Sequence, residues 1–262
     1  MTTRVLNDLT VEIDGDGEAL LCIHGLGGSS NNWTPVLPAL GSFRRIRPDL
    51  PGSARSPLPV DGEALSIARY VDAMLQLLSA LDVGSVHVMA HSMGTIVAQH
   101  LAVRSRGLVK SLALFGPLAA PPDAARPNIA ARAHAARGGV AAMQEIADAI
   151  VKAATSTQTK EQQPAVLALV RESVMRQSPE GYAQSCAALA DAQSAALERI
   201  DVPTLLVTGD QDGVAPVANV RAMHERIVGS RLVVFDGCGH WTTFEQPQRC
   251  AQELDAFYAA LR

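Results

Sequence analysis

The sequence lacks the signatures of a membrane, metal or nucleic-acid protein. No apolar stretch approaches the roughly 18 residues a spanning helix requires. The opening segment MTTRVLNDLTVEIDGDGEALL has no positively charged stretch leading into an apolar run, so a secretory leader is not expected. A formal net charge of −4 gives no basis for binding nucleic acid or an anionic membrane surface. The four cysteines (Cys22, Cys186, Cys238 and Cys250) form no C-x-x-C pair and are expected to be reduced, mostly buried thiols, with a cytoplasmic location as the default. There is no H-E-x-x-H spacing, and His87, His100, His134 and His224 show no ligand pattern, so no metal is implied. No Walker lysine and no G-x-G-x-x-G occur, so nucleotide binding is not expected. The pattern leaves the oligomeric state open.

What is present is a chain of 262 residues, 48% hydrophobic and 18% charged, ordinary for a globular protein with a full core. Residues 1–13 read as a hairpin turning at Asn7-Asp8, because apolar residues alternate on its second arm. Short apolar runs follow at 19–23, 85–90, 110–115, 203–208 and 231–235, each closed by Gly or Pro. Apolar on both faces, they predict buried parallel strands. FRRIRPDL (43–50) is a weaker candidate, since arginines interrupt it. Helical spacing recurs between the runs: Ile67 to Leu81, Met93 to Leu101, 216–228 beginning at Pro216, and Cys250 to Leu261. Strands alternating with helices predict an α/β fold, a mostly parallel sheet with helices on both faces.

One stretch breaks the alternation. Residues 119–196 are alanine-rich and helical in pattern, with no strand candidate, and Ser178-Pro179-Glu180 forms a good helix start. This predicts a helical cap at 119–196 inserted into a core formed by 1–118 and 197–262.

The sharpest chemical signal is Ala90-His91-Ser92-Met93-Gly94, lying between a strand and a helix. A nucleophile elbow presents its serine at the top of the sheet and needs small residues two positions either side. Gly94 fits, and Ala90 departs from glycine by one methyl. A serine N-cap on an ordinary turn would look the same, so the remainder of the chain must separate the two. A serine nucleophile needs a base, and the base an orienting carboxylate. Asp210 and Asp212 follow the run at 203–208, and His240 follows the run at 231–235. Asp212, further from the strand, is favoured as the orienting acid, with Asp210 as a loop brace. Oxyanion stabilisation needs two N–H donors; Met93, after the serine, and Leu26, in the Gly-rich loop after the first buried strand, are the candidates. His24 is expected to brace that loop, and Glu245 to brace or cap the final helix. Trp33 and Trp241 are expected to pack, though each adjoins a loop of the site. The role of His91 is open.

With these elements in hand, the chain resembles the α/β-hydrolase superfamily over essentially its whole length. The resemblance lies in HGLGGSSNNW (24–33), DLPGSARS (49–56), AHSMG (90–94), GDQDGVAP (209–216) and GCGHWTTFEQP (237–247). It departs at Ala90, and at Ser53-Ala54 where relatives usually carry His-Gly. Residues 165–192 are similar to the cap of 3-oxoadipate enol-lactonases and their relatives. That likeness implies hydrolysis of a small ester or lactone substrate through an acyl-enzyme on Ser92, without a cofactor. Carbon–carbon bond hydrolysis of ring-cleavage products, cofactor-free perhydrolysis of the haloperoxidase type, and a non-catalytic ligand receptor remain as alternatives. Arg132, Arg137, Arg171 and Arg176 are candidate partners for a substrate carboxylate.

Overall fold

Asn7 and Asp8 both take positive φ, 49° and 63°, the turn whose twist suits two adjoining antiparallel strands. It joins β1 (Thr2–Leu6) to β2 (Leu9–Asp14). In this computed structural model, which describes residues 2–261, the chain continues through β3 (Glu18–Ile23), β4 (Phe43–Pro48), β5 (Val86–His91), β6 (Val109–Phe115), β7 (Thr204–Gly209) and β8 (Arg231–Phe235). Among the described residues the eight strands form one sheet in the order β1-β2-β4-β3-β5-β6-β7-β8. The β1–β2 and β2–β4 pairs are antiparallel; β4, β3 and β5 to β8 run parallel.

The arginine-interrupted run is a full member of this sheet. In the register of β2 against β4, Glu12 lies opposite Arg47 and Asp14 opposite Arg45. Arg47 Nη1 meets Glu12 at 3.1 Å and Arg45 Nη2 meets Asp14 at 3.2 Å. The charges that break the apolar pattern are therefore cross-strand ion pairs, one of the ways adjacent strands are held together.

Helices cover both faces. On one side α1 (Ile67–Ala80) and α2 (Met93–Arg104) pack Tyr70, Met74, Ile96 and Val97 against Leu21, Ile23 and Val88 of the strands. On the other, a 3-10 helix over Ser30–Leu40, capped by Ser29, sets Trp33 and Leu40 against Leu20, Cys22 and Met89. Burying each such Leu or Val contributes about 1.5–3 kcal/mol. All four cysteines are buried and unpaired, and burial pushes the Cys22 thiol up to about 12.

Between β6 and β7 lie α3 (Arg126–Ala136), α4 (Val140–Ala154), α5 (Thr157–Gln162), α6 (Pro164–Met175) and α7 (Pro179–Ala190), with no strand among the described residues. After β7 comes α8 (Val217–Arg226), which starts one residue later than expected. Pro216 is its N-cap, with an extended ψ of 146°, rather than its first helical residue. A short α9 (Thr242–Glu245) and the final α10 (Pro247–Ala259) follow β8. Cys250, Leu254 and Tyr258 of α10 join the face of Trp33. No helix among the described residues is long and apolar enough to cross a membrane.

Candidate active site

The candidate residues meet at the carboxyl ends of the parallel strands, where such sheets build their sites. Ser92 directly follows β5 and takes φ 53°, ψ −125°, a conformation rare for a residue with a side chain. The turn is so tight that a Cβ on Gly94 would fall 2.5 Å from the carbonyl oxygens of Ile23 and His24. Ala90 lies fully buried within β5, so its extra methyl is absorbed by the core without displacing the elbow.

His240, in the loop after β8, lies with Nε2 2.8 Å from Ser92 Oγ and Nδ1 2.8 Å from Asp212 Oδ2. An ionised carboxylate can only accept, so Nδ1 carries the proton and Nε2 accepts from the serine hydroxyl. All three side chains are buried. Burial would raise the Asp212 carboxyl. It is held below its usual range because His240 and the N–H groups of Ala215 and Val214, at 2.7 and 2.8 Å, outweigh that effect. Asp210 stands apart from this line and accepts from Cys238 N–H at 3.1 Å, bracing the loop.

Away from the cavity, several segments confine His240 and its loop. Gly116, after β6, has φ 53°, and a Cβ there would lie 2.8 Å from the imidazole ring. The His240 N–H donates to Ala154 C=O at 2.9 Å, at the end of α4. Glu245 does not brace the final helix, as the sequence suggests, but the His240 loop. Its carboxylate accepts from Gly239 N–H at 3.0 Å and Trp241 N–H at 3.1 Å, and from Ser156 N–H and Thr159 Oγ1 at 2.8 Å. A buried carboxylate is tolerated only with such a set of donors, and here the set spans two segments distant in sequence.

His91 donates from Nε2 to the His240 carbonyl at 2.9 Å, and its ring lies against those of His240 and Trp241. Burial, and then the neighbouring His240, push it down to about 3, so it stands neutral as a positioning group. His24 accepts from Leu50 N–H at 2.9 Å and faces Gly25 C=O at 2.8 Å, tying the Gly-rich loop to the end of β4. Met93 begins α2, where the N–H has no partner within the helix. Leu26 lines a cavity together with Ser92 and His240.

That cavity measures about 570 Å³ and is walled by α3, α4, Leu189 and Trp241. Trp33 by contrast is fully buried, edge-on to Phe115. The structure also separates the four arginines. Arg132 lines the cavity, whereas Arg137 pairs with Glu180 and Arg171 with Asp148 on the exposed surface, and Arg176 is not among the lining residues. Sequence spacing carried no signal for that choice, nor for Gly116 or the partners of Glu245. Among the described residues no three His, Cys, Asp or Glu side chains are grouped to hold a metal ion.

The sequence matches the alpha/beta hydrolase fold family over residues 18–247. It is 28% identical to a 2-hydroxymuconate semialdehyde hydrolase from Pseudomonas sp. (strain CF600), over 94% of this chain and 88% of that protein. The structure resembles the enol-lactonase from Burkholderia xenovorans LB400 with a TM-score of 0.88 at 25% identity, covering 98% of this chain and 100% of that one. A thermophilic esterase from Thermogutta terrifontis matches with a TM-score of 0.89 at 24% identity, over 99% of this chain and 98% of that one. With a family match running from β3 to just past α9, the chain belongs to the α/β-hydrolase fold family and is a hydrolytic enzyme.

Proposed function

We propose that the chain is a serine hydrolase that cleaves a small carboxylic ester or lactone through an acyl-enzyme on Ser92. The observation that carries this reading is the uninterrupted line Asp212–His240–Ser92, which opens at its serine end into the cavity. Ser92 Oγ attacks the substrate carbonyl while His240 Nε2 takes its proton, and Asp212 steadies the imidazolium. The N–H groups of Leu26 and Met93 receive the oxyanion. Collapse of the tetrahedral species breaks the C–O bond, and His240 returns the proton to the leaving alkoxide. Water, deprotonated by His240, then attacks the acyl carbon and releases the acid and the serine.

The cavity lining supports a small, largely apolar acyl group, since Ala131, Ala135, Ala149 and Ala153 supply much of it. The helices α3 to α7 act as the cap that closes it. A carbon–carbon bond hydrolase is the second reading, favoured by Arg132, a half-buried residue whose guanidinium suits an acid-bearing substrate, in a wall that also carries Asn128 and the exposed Glu145. The test is burst kinetics with p-nitrophenyl acetate, followed by a screen of small esters, enol-lactones and ring-cleavage products. A burst of one equivalent, absent from Ser92→Ala, is expected. No acyl-enzyme in the wild type, with unchanged turnover in Ser92→Ala, would sink the reading.

A further inference from the structure

The turn Gly25–Gly28 carries Leu26, one of the two proposed oxyanion donors, and is closed internally by a single backbone bond, Gly28 N–H to Gly25 C=O at 3.1 Å. Its outer carbonyls are gripped from the C-terminal end of α6. Ser173 Oγ donates to Gly27 C=O at 2.8 Å, and one N–H of the Gln177 amide is shared between Gly27 C=O at 3.3 Å and Gly28 C=O at 3.2 Å. Both side chains are buried. The amide is itself oriented, because Gln177 Oε1 accepts from Ala54 N–H at 2.8 Å while Nε2 also donates to Ser173 C=O at 2.7 Å. A buried amide is tolerated only when its donors and acceptor are met. This one is met only if the turn after β3, the loop after β4 and the end of α6 hold this relative position.

We infer that Ser173 and Gln177 are positioning residues for the oxyanion donor at Leu26, so that the helical segment builds part of the reaction machinery as well as enclosing the cavity. The inference rests on the acyl-enzyme reading of Ser92. An oxyanion donor acts on the transition state, and it must be aimed where the oxyanion will lie, not where the ground-state carbonyl lies. Slackening the turn is therefore expected to lower kcat and to leave KM nearly unchanged.

The experiment compares wild type, Ser173→Ala, Gln177→Met, the double variant and Ser173→Thr, which keeps the hydroxyl. Each is read by the rate at which a p-nitrophenyl alkylphosphonate modifies Ser92, by kcat and KM on p-nitrophenyl acetate, and by thermal melting. Ser173→Ala removes one oxygen, so it gives a folded readout even if the double variant does not fold. The double variant is expected to lose about tenfold to a hundredfold in both phosphonylation rate and kcat, short of the loss from deleting a donor outright. KM should stay within about twofold and the pH profile unshifted, since His240 and Asp212 are untouched, and Ser173→Thr should restore the rate. Folded variants that phosphonylate at the wild-type rate would overturn the inference alone. A wild type that is not modified at Ser92 would overturn the acyl-enzyme reading, and the inference with it.

Discussion

Two places in this molecule bring a serine, a histidine and a carboxylate into one line. At the carboxyl ends of the strands, Ser92, His240 and Asp212 are joined at 2.8 and 2.8 Å. At the opposite end of the sheet, Ser111 Oγ lies 2.8 Å from His87 Nδ1, and His87 Nε2 lies 3.5 Å from Glu18. Residue types alone do not distinguish them, but the His87–Glu18 contact is longer than a good hydrogen bond, and the surroundings differ further. Ser92 stands on a strained elbow facing a cavity, whereas Ser111 lies within β6, fully buried, with its backbone committed to the strand ladder. Asp212 is buried and held by two N–H groups, whereas Glu18 is 60% exposed and already paired with Lys110. A reactive line therefore needs an exposed end for the substrate, free donors beside it, and a carboxylate with no competing partner.

The largest expected effect is at the elbow. Ser92→Ala or His240→Ala should each lower kcat by about 10⁴–10⁶-fold, and the double variant should be no worse than either, because the groups act as a unit. Additive losses in the double variant would contradict a shared proton path. Asp212→Asn should cost about 10⁴-fold, since an amide facing Nδ1 permits the wrong tautomer. Glu18→Gln, the matching change at the other end, should leave steady-state turnover within about twofold. If the two amides cost the same, the distinction between the two lines falls.

Protonation offers a second contrast of intermediate size. His87, His24 and His91 are all pushed down by burial, the last to about 3. For such a group the unfolded chain takes up a proton near pH 6.5 while the folded one does not. Stability is thus retained above that pH and lost as pH falls below it, by up to about 1.4 kcal/mol per pH unit for each histidine until its folded value is reached. Asp212 and Asp49, held low, contribute with the opposite ionisation: their stabilisation is present above about pH 4 and lost only below it. Urea midpoints should therefore fall between pH 7 and pH 5 through the histidines. The fall should be shallower in His91→Asn and in His87→Asn, and an unchanged slope in both would refute the neutral assignment.

How far this organisation could be read in advance depends on the range of each interaction. The strands preceding Ser92 and Asp212 are buried throughout, and the half-buried edge strand preceding His240 still carries an apolar run, so these runs and the order of the residues that follow them are visible in one dimension. The membership of β4 was obscured because Arg45 and Arg47 acquire their meaning only opposite Asp14 and Glu12. The sequence points Glu245 to the final helix because that helix begins just after it at Pro247, while its decisive partners Ser156 and Thr159 lie in the segment before α5 and within it. Ser173 and Gln177 grip a turn about 150 residues away, and no local pattern announces such a contact. Arg132 lines the cavity while Arg137, at the end of the same helix, pairs with Glu180 on the surface, a difference of position around one helix that residue type does not reveal.

The smallest expected effect tests the opposite end of the sheet directly. Ser111→Ala removes a hydroxyl that no substrate can reach, so kcat and KM should stay within about twofold of wild type. The cost should appear in stability instead, because His87 Nδ1 loses its partner while remaining buried; a loss of about 1–3 kcal/mol is expected for an abandoned buried polar group. Deleting both partners, as Ser111→Ala with His87→Leu, should recover part of that loss, since a pair of apolar groups leaves nothing unsatisfied. Melting curves of the two single variants and the double variant form the cycle that measures the coupling. A loss of turnover in Ser111→Ala without a loss of stability would mean that this second line is chemically engaged, and the contrast drawn from burial and access would be wrong.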